Sequence, residues 1–213
     1  MYKQRPNLIL GFHGCDETVR DQLLMNPNTY KASKETYDWL GHGIYFWENN
    51  YERALQWAKD KKKRGTLKNP AVVGAVLQLG NCCDLTDQES IAVVKNYYKL
   101  MADDHASVGL PLPENKDIKT DMHRDMLLRE LDCAVIEYMH AAIFDQYSND
   151  ITTNGYSDYQ LFDSTRGVFT EGGPAYKGAG IFEKSHIQIC IRNSNCIKGF
   201  FMPRKEIKWP NLR

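Results

Sequence analysis

Two short motifs in the first quarter of the chain combine histidine, glycine and aromatic residues. Phe12-His13-Gly14 ends an apolar run that starts at Asn7, and Gly41-His42-Gly43-Ile44-Tyr45-Phe46 follows about thirty residues later. A histidine can hydrogen-bond a ligand, a glycine permits close approach of the backbone, and a tyrosine ring can stack on a flat group. Each residue alone is more typical of a structural position. The two motifs in this order, each followed by a predicted helix, favour a ligand-binding cleft.

Acidic and amide side chains toward the other end of the chain could complete the chemistry. Residues 148–180 are rich in Gly, Ser, Thr, Asn and Asp, and Glu171 lies there between Arg166 and a Gly-Gly pair. We expect this segment to be a long functional loop, with Glu171 as the acid that activates an acceptor. Arg166 would pair with Glu171 or with a phosphate. The alternatives are Glu183 as the acid, or Glu171 as a plain solvated carboxylate.

The elements that must position these residues follow from the apolar patterns. Strands are predicted at 7–12, 44–47, 71–79, 187–191 and 197–202. Asp16 is expected to cap a helix that ends near Met25, and further helices are predicted at 51–63, from a Thr86–Glu89 capping box to about 101, and at 119–146. This mixed order predicts an α+β fold.

The bulk composition indicates an ordinary globular protein. The 213 residues carry 27 basic and 27 acidic side chains, so net charge gives no reason to expect nucleic-acid binding, although a local basic groove remains open. The length predicts one domain, 1–213. The six cysteines have no metal-ligand spacing, and we expect reduced thiols in a cytoplasmic protein without a signal peptide. No apolar run is long enough to span a membrane, and no metal site is expected.

The two motifs resemble those of the ADP-ribosyltransferase superfamily, specifically its His-Tyr branch, which includes diphtheria toxin and the poly(ADP-ribose) polymerases. The polymerases share the Gly-x-Gly-x-Tyr-Phe pattern of Gly41–Phe46. The resemblance is good over residues 7–58 and moderate over 184–202. It implies a split β-sheet core with flanking helices, and it leaves residues 84–147 as a helical insertion without a counterpart.

The resemblance also implies roles for individual residues in binding NAD. His13 would hydrogen-bond the adenosine-side ribose, the Gly14 backbone would meet the nicotinamide carboxamide, and Tyr45 would stack on the nicotinamide ring. Trp57, on the following helix, would supply the second face of the aromatic sandwich. His42 and Gly43 of the second motif would also contribute to the NAD site, with His42 touching a phosphate or capping the loop.

One position departs from the family pattern. Gln188 stands where the family has a glutamate near the start of a late strand. An amide can still hydrogen-bond a ribose hydroxyl, but it cannot accept a proton. This departure argues against a polymerase that extends chains, and it leaves the general base unassigned.

The resemblance therefore implies an NAD-dependent mono-ADP-ribosyltransferase that modifies a macromolecular acceptor, either protein or nucleic acid (RNA or DNA). Small members of the superfamily suggest a bacterial toxin, a phage-defence effector or a component held by an antitoxin. An NAD glycohydrolase and an inactive module that binds ADP-ribose or a partner are the alternatives. Basic residues at 59–64, 119, 124, 166 and 204–205 would form a nucleic-acid groove if they converge.

Overall fold

The computed structural model describes residues 8–119 and 121–204 of the chain. The strands among these residues are β1 (Ile9–Asp16), β2 (Ile44–Glu48), β3 (Pro70–Leu77), β4 (Cys82–Asp84), β5 (Asn115–Lys116), β6 (Leu128–Arg129), β7 (Ser164–Phe169), β8 (His186–Ile191) and β9 (Ile197–Phe201). The α-helices are α1 (Glu17–Met25), α2 (Tyr51–Lys63), α3 (Gln88–Ser107) and α4 (Glu130–Asn154).

Seven strands form one mixed sheet in the order β4-β7-β8-β2-β1-β3-β9, and β5 pairs with β6 apart from it. The β4–β7 pair is parallel, and the other neighbours in the seven-stranded sheet are antiparallel. Large apolar side chains from the central strands, such as Phe46, Leu77 and Ile189, are fully buried. The predicted α+β class is confirmed.

Strands β1 and β2 are paired over only two residues, and the sheet is open between them beside the first motif. β1 pairs with β3 over eight residues but with β2 only at Gly11↔Glu48 and Phe12↔Trp47. Beyond Phe12 the two strands part, and backbone groups there need other partners. The His13 side chain bonds the Tyr45 carbonyl across the gap. The two motif residues therefore lie together where the sheet opens.

Helix α2 packs closely on this part of the sheet. Ala54 and Ala58, one turn apart, are fully buried, as expected for the core-facing stripe of an amphipathic helix. A Cβ atom on Gly14 would lie 2.3 Å from the Ala54 carbonyl oxygen, so the strand and helix can approach this closely only with glycine at position 14. Asn50 caps the helix through the Arg53 N–H, and three lysines occupy its last turn, where they suit the helix dipole.

The helical middle of the chain packs on the core through β4. Cys83 of β4 lies in a buried cluster with Ile136, Met139 and Ile143 of α4, and Val94 of α3 packs against that cluster. Helix α4 ends at Gly155, whose left-handed conformation (φ 78°) suits a helix C-cap.

Three element predictions were wrong. The helix expected at 119–146 begins only at Glu130, because β5 and β6 pair just before it, and it continues to Asn154, into the segment predicted as a loop. Residues 164–169 form the buried strand β7 rather than part of a loop, because Arg166 finds two acidic partners inside the protein. Asp87, not Thr86, is the N-cap of α3 and accepts from the Glu89 N–H. Asn7, predicted as the start of the first strand, lies outside the described residues.

Candidate functional site

A cleft of about 810 Å³ opens where β1 and β2 part. Helix α2 forms one wall, and residues in the ranges 31–39, 121–128 and 169–188 contribute to the others. Its size lies toward the upper end of the range of about 300–1,000 Å³ that is typical of ligand pockets. The predicted site residues that line it are His13, Gly43, Tyr45, Trp57, Glu171 and Gln188.

His13 presents a hydrogen-bond acceptor to a ligand. Its Nδ1–H donates to the Tyr45 carbonyl oxygen over 2.8 Å, and this bond assigns the ring proton to Nδ1 because a carbonyl can only accept. Burial lowers the pKa of His13, and the bond to Tyr45 only partly opposes that shift. The ring is therefore neutral at pH 7, with the lone pair of Nε2 as its remaining polar group.

Tyr45 is held by its hydroxyl group. The hydroxyl donates to the Gly41 carbonyl oxygen over 2.8 Å and accepts from the Leu40 N–H over 3.0 Å. Both partners belong to the segment that leads into β2, so the second motif closes on itself around the tyrosine. Burial raises the pKa of Tyr45 well above its ordinary value, so the hydroxyl stays protonated. The ring lines the cleft in a fixed orientation.

Aromatic and basic side chains share the α2 wall of the cleft. Trp57 lies beside Trp47, with ring centroids 5.5 Å apart, and the Lys61 ammonium lies 5.0 Å from the centroid of the Trp57 ring. Lys31, Lys63 and Arg64 also line the cleft, whereas Lys59 and Lys62 are not among its lining residues. Part of the basic run therefore faces the site, and part lies at a helix end in solvent.

Gln188 lines the cleft and is anchored by an indole. The Trp39 Nε1–H donates to Gln188 Oε1 over 2.6 Å. Gln188 is paired with Trp47 on β2 and with Gly167 on β7, so its strand lies in the middle of the sheet. The amide nitrogen carries no hydrogen bond to any residue in the described parts of the chain.

Glu171 lines the cleft and forms an ion pair with Arg53 of α2. The two side chains are each 12% exposed. The bond uses Oε1 of Glu171, and Oε2 has no partner within the described ranges. Glu183, the alternative acid, also lines the cleft.

Arg166 was predicted to pair with Glu171 or to bind a phosphate, and the structure gives it neither position. It is 6% exposed on β7, where it forms a two-point ion pair with Glu48 and a further one with Asp84. It is not among the cleft-lining residues. Because both its acidic partners are largely buried, its guanidinium joins β2, β4 and β7 rather than facing a ligand.

Gly14 and His42, which were also predicted to contact NAD, do not line the cleft. Gly14 is buried against α2 and is not a lining residue, so its missing side chain serves strand–helix packing. His42 also does not line the cleft: its N–H donates to Glu137 of α4 over 2.7 Å, and its Nδ1 lies 3.2 Å from the same carboxylate. Arg192 bonds both Glu137 and the His42 carbonyl oxygen. The role of His42 in this structure is therefore to fix the second motif.

The lining residues that sequence reasoning missed include Trp47, Arg53 and His186. Each has a buried nitrogen without a hydrogen-bond partner in the described part of the chain, namely Trp47 Nε1, Arg53 Nε and His186 Nε2. Such atoms carry the desolvation cost of a hydrogen bond that is not made within the protein. The spacing of these three residues from predicted site residues could have identified them. Trp47 and His186 stand two residues from Tyr45 and Gln188 on their strands, and Arg53 stands one helical turn before Trp57.

The expected nucleic-acid groove does not converge as a whole. Arg166 is buried elsewhere, Lys119 and Arg124 do not line the cleft, and Lys205 lies outside the described residues. Within the described ranges, no His, Cys, Asp and Glu side chains group in a way that could hold a metal ion. None of the helices described is long and apolar enough to cross a membrane.

Comparisons with known proteins add little about the activity. No family model matches the chain, and no solved structure matches it. The chain is 29% identical over 94 residues to an uncharacterized protein of Methanocaldococcus jannaschii, a match that covers 42% of this chain and 43% of that protein. The match thus spans less than half of either protein.

Proposed function

We propose that this chain is an NAD-dependent mono-ADP-ribosyltransferase that moves ADP-ribose from NAD to a protein or nucleic-acid acceptor and releases nicotinamide. We also propose that the fold is ADP-ribosyltransferase-like. The separation of β1 and β2 would then correspond to the split in its β-sheet. The observation that carries it is the joining of the two motifs: His13 and Tyr45 line one cleft and are linked by a hydrogen bond.

The residues of the cleft fit a dinucleotide. A volume of about 810 Å³ leaves room for one, and the cleft combines flat aromatic walls with a basic side. Tyr45 and Trp57 supply stacking surfaces, and His13 Nε2 can accept a hydrogen bond from a ribose hydroxyl. Lys61, Lys63 or Arg64 can meet the negative charge of a pyrophosphate.

Breaking the bond between nicotinamide and its ribose gives a neutral leaving group and a cationic ribose carbon. The protein must therefore orient NAD and place an acceptor beside that carbon, without having to supply strong acid chemistry. We assign orientation to His13, Tyr45 and Gln188. We assign activation of the acceptor to Glu171, whose Oε2 is available while Arg53 holds Oε1.

The six cysteine thiols are free, which supports a reducing compartment and hence the cytoplasm as the proposed location. The family setting as a bacterial toxin or phage-defence effector, with or without an antitoxin, is part of the proposal and rests on the resemblance.

Incubation with labelled NAD tests the proposal. We expect free nicotinamide together with label on protein, RNA or DNA from a cell extract, and Tyr45→Ala, which removes the stacking ring, should lose most of this activity. Nicotinamide without labelled macromolecule would instead identify a glycohydrolase. No nicotinamide with any target mixture would refute both enzymes and favour a silent binding module.

A further inference from the structure

The orientation of the Gln188 amide is set by chemistry. An indole N–H can only donate, so the atom of Gln188 that lies 2.6 Å from Trp39 Nε1 must be the amide oxygen. An amide that commits its oxygen to an indole has two N–H donors left. The free hydrogen-bonding group of Gln188 is therefore its NH2, which is a donor.

Trp39 itself is held firmly on several sides. It is 8% exposed, and a Cβ atom on Gly167 would lie 2.7 Å from Trp39 Cη2. The Phe169 ring packs against it in a T-shaped arrangement at a centroid distance of 5.3 Å, and the Arg129 guanidinium lies 5.2 Å from its ring centroid. Gly167 is also the β7 partner of Gln188. Trp39 packs on Gly167, and Gln188 is paired with the same glycine. The indole and the amide therefore cannot easily move independently of each other.

We infer that Trp39 is a positioning residue that fixes Gln188 as a hydrogen-bond donor facing the cleft, so that the ligand group bound beside it is an oxygen acceptor. The consequence for catalysis rests on the proposed function, in which that group is a ribose oxygen of NAD. An amide whose NH2 donates to such an oxygen holds it in place, but it is not a base and takes no proton from an acceptor. Proton removal then falls to another cleft residue, as assigned above to Glu171.

The hydrogen bond can be tested without any enzyme assay. The chain has four tryptophans, and the indole N–H resonance of Trp39 is identified by its loss in Trp39→Phe. We expect this resonance to move upfield in Gln188→Met, which keeps the side-chain length but has no amide. An unchanged Trp39 resonance in folded Gln188→Met protein would overturn the inference.

The functional consequence is tested with a double-mutant cycle of Trp39→Phe and Gln188→Met. NAD affinity by calorimetry and kcat/KM for nicotinamide release are both measured. Each single variant should lose about two- to twelvefold, as expected for one lost hydrogen bond of about 0.5–1.5 kcal/mol. If Trp39 acts through Gln188, then Trp39→Phe should cost less than about twofold in the Gln188→Met background.

The alternative outcomes separate the inference from the proposed function. Equal losses from Trp39→Phe in both backgrounds would mean that Trp39 acts through packing alone, and the inference would fail while NAD turnover remained. A wild-type protein that neither binds nor cleaves NAD would refute the proposed function and the catalytic consequence. The indole resonance would still decide whether Trp39 positions the amide.

Discussion

Removal of the Glu171 carboxylate should affect both stability and activity, and the Arg53–Glu171 pair allows the two effects to be separated. Each side chain is only 12% exposed, so Glu171→Met leaves the Arg53 guanidinium largely buried without its charge partner. Breaking such a pair by losing one member typically costs about 3–5 kcal/mol. In a protein of this size about 1 kcal/mol corresponds to about 2–4 °C, so Tm should fall by roughly 6–20 °C.

The matched variant is the double substitution Arg53→Met/Glu171→Met. Replacing a whole buried pair by apolar side chains of similar length is often close to neutral, so we expect most of the lost stability to return, to within about 1–2 kcal/mol of wild type. Urea unfolding at pH 7 measures the free energy of unfolding for wild type, both single variants and the double variant.

Transfer of label from NAD, measured on the same four proteins, then decides the role of Glu171. If Glu171 activates the acceptor, the double variant should be stable but inactive in transfer. Recovery of transfer together with stability in the double variant would refute the catalytic role, and Glu183 would be the next residue to substitute. Equal stability of wild type and Glu171→Met would instead refute the importance of the ion pair.

Three further predictions test the cleft and the buried histidines. Tyr45→Phe keeps the ring but leaves the Gly41 carbonyl and the Leu40 N–H without the hydroxyl, so it should cost about 1–3 kcal/mol in urea unfolding while NAD cleavage persists, unlike Tyr45→Ala. Gln188→Glu should leave NAD affinity within about twofold in calorimetry, because a ribose hydroxyl that accepts from the Gln188 amide can donate to a carboxylate instead, while the indole keeps an acceptor; a larger loss would mean that the ligand oxygen has no proton to donate. Burial lowers the pKa of His140 to about 4. An ordinary histidine in the unfolded chain has a pKa of about 6.5, so the unfolded state binds more protons and stability falls as the pH drops from 6.5 toward 4, by about 2 kcal/mol at pH 5. His140→Phe should flatten this part of the unfolding free-energy profile, and an unchanged slope would contradict the assignment.

Local sequence signals predicted most of the regular elements around the cleft. The apolar runs predicted β2, β3, β8 and β9 closely, and the Asp16 cap predicted α1. Position 188 stood out because the family resemblance places a glutamate where this chain has an amide. These features depend on neighbours in the chain, on periodicity and on residue type, which a sequence displays directly.

Two of the three errors, those at Arg166 and at the start of α4, have a common physical cause, which is pairing between residues that are not neighbours in the chain. The segment around Arg166 looks like a polar loop, but Glu48 and Asp84 satisfy its charge and allow a buried strand. Helix α4 begins later than its apolar stripe suggests, because Asn115 and Lys116 pair with Leu128 and Arg129. Neither partner set is close in sequence.

The sequence by itself determined that a histidine–glycine motif and a glycine–tyrosine motif occur in order, each next to a helix, and that an amide stands at position 188. The tertiary structure decided which side chains meet: His13 with Tyr45, Glu171 with Arg53 rather than Arg166, and Gln188 with Trp39. Hydrogen bonds and ion pairs of this kind depend on distances between strands far apart in the chain. Their geometry is fixed only when the sheet and α2 pack together. The orientation of the Gln188 amide, with its NH2 left for a ligand, is therefore decided by the fold and not by the residue type alone.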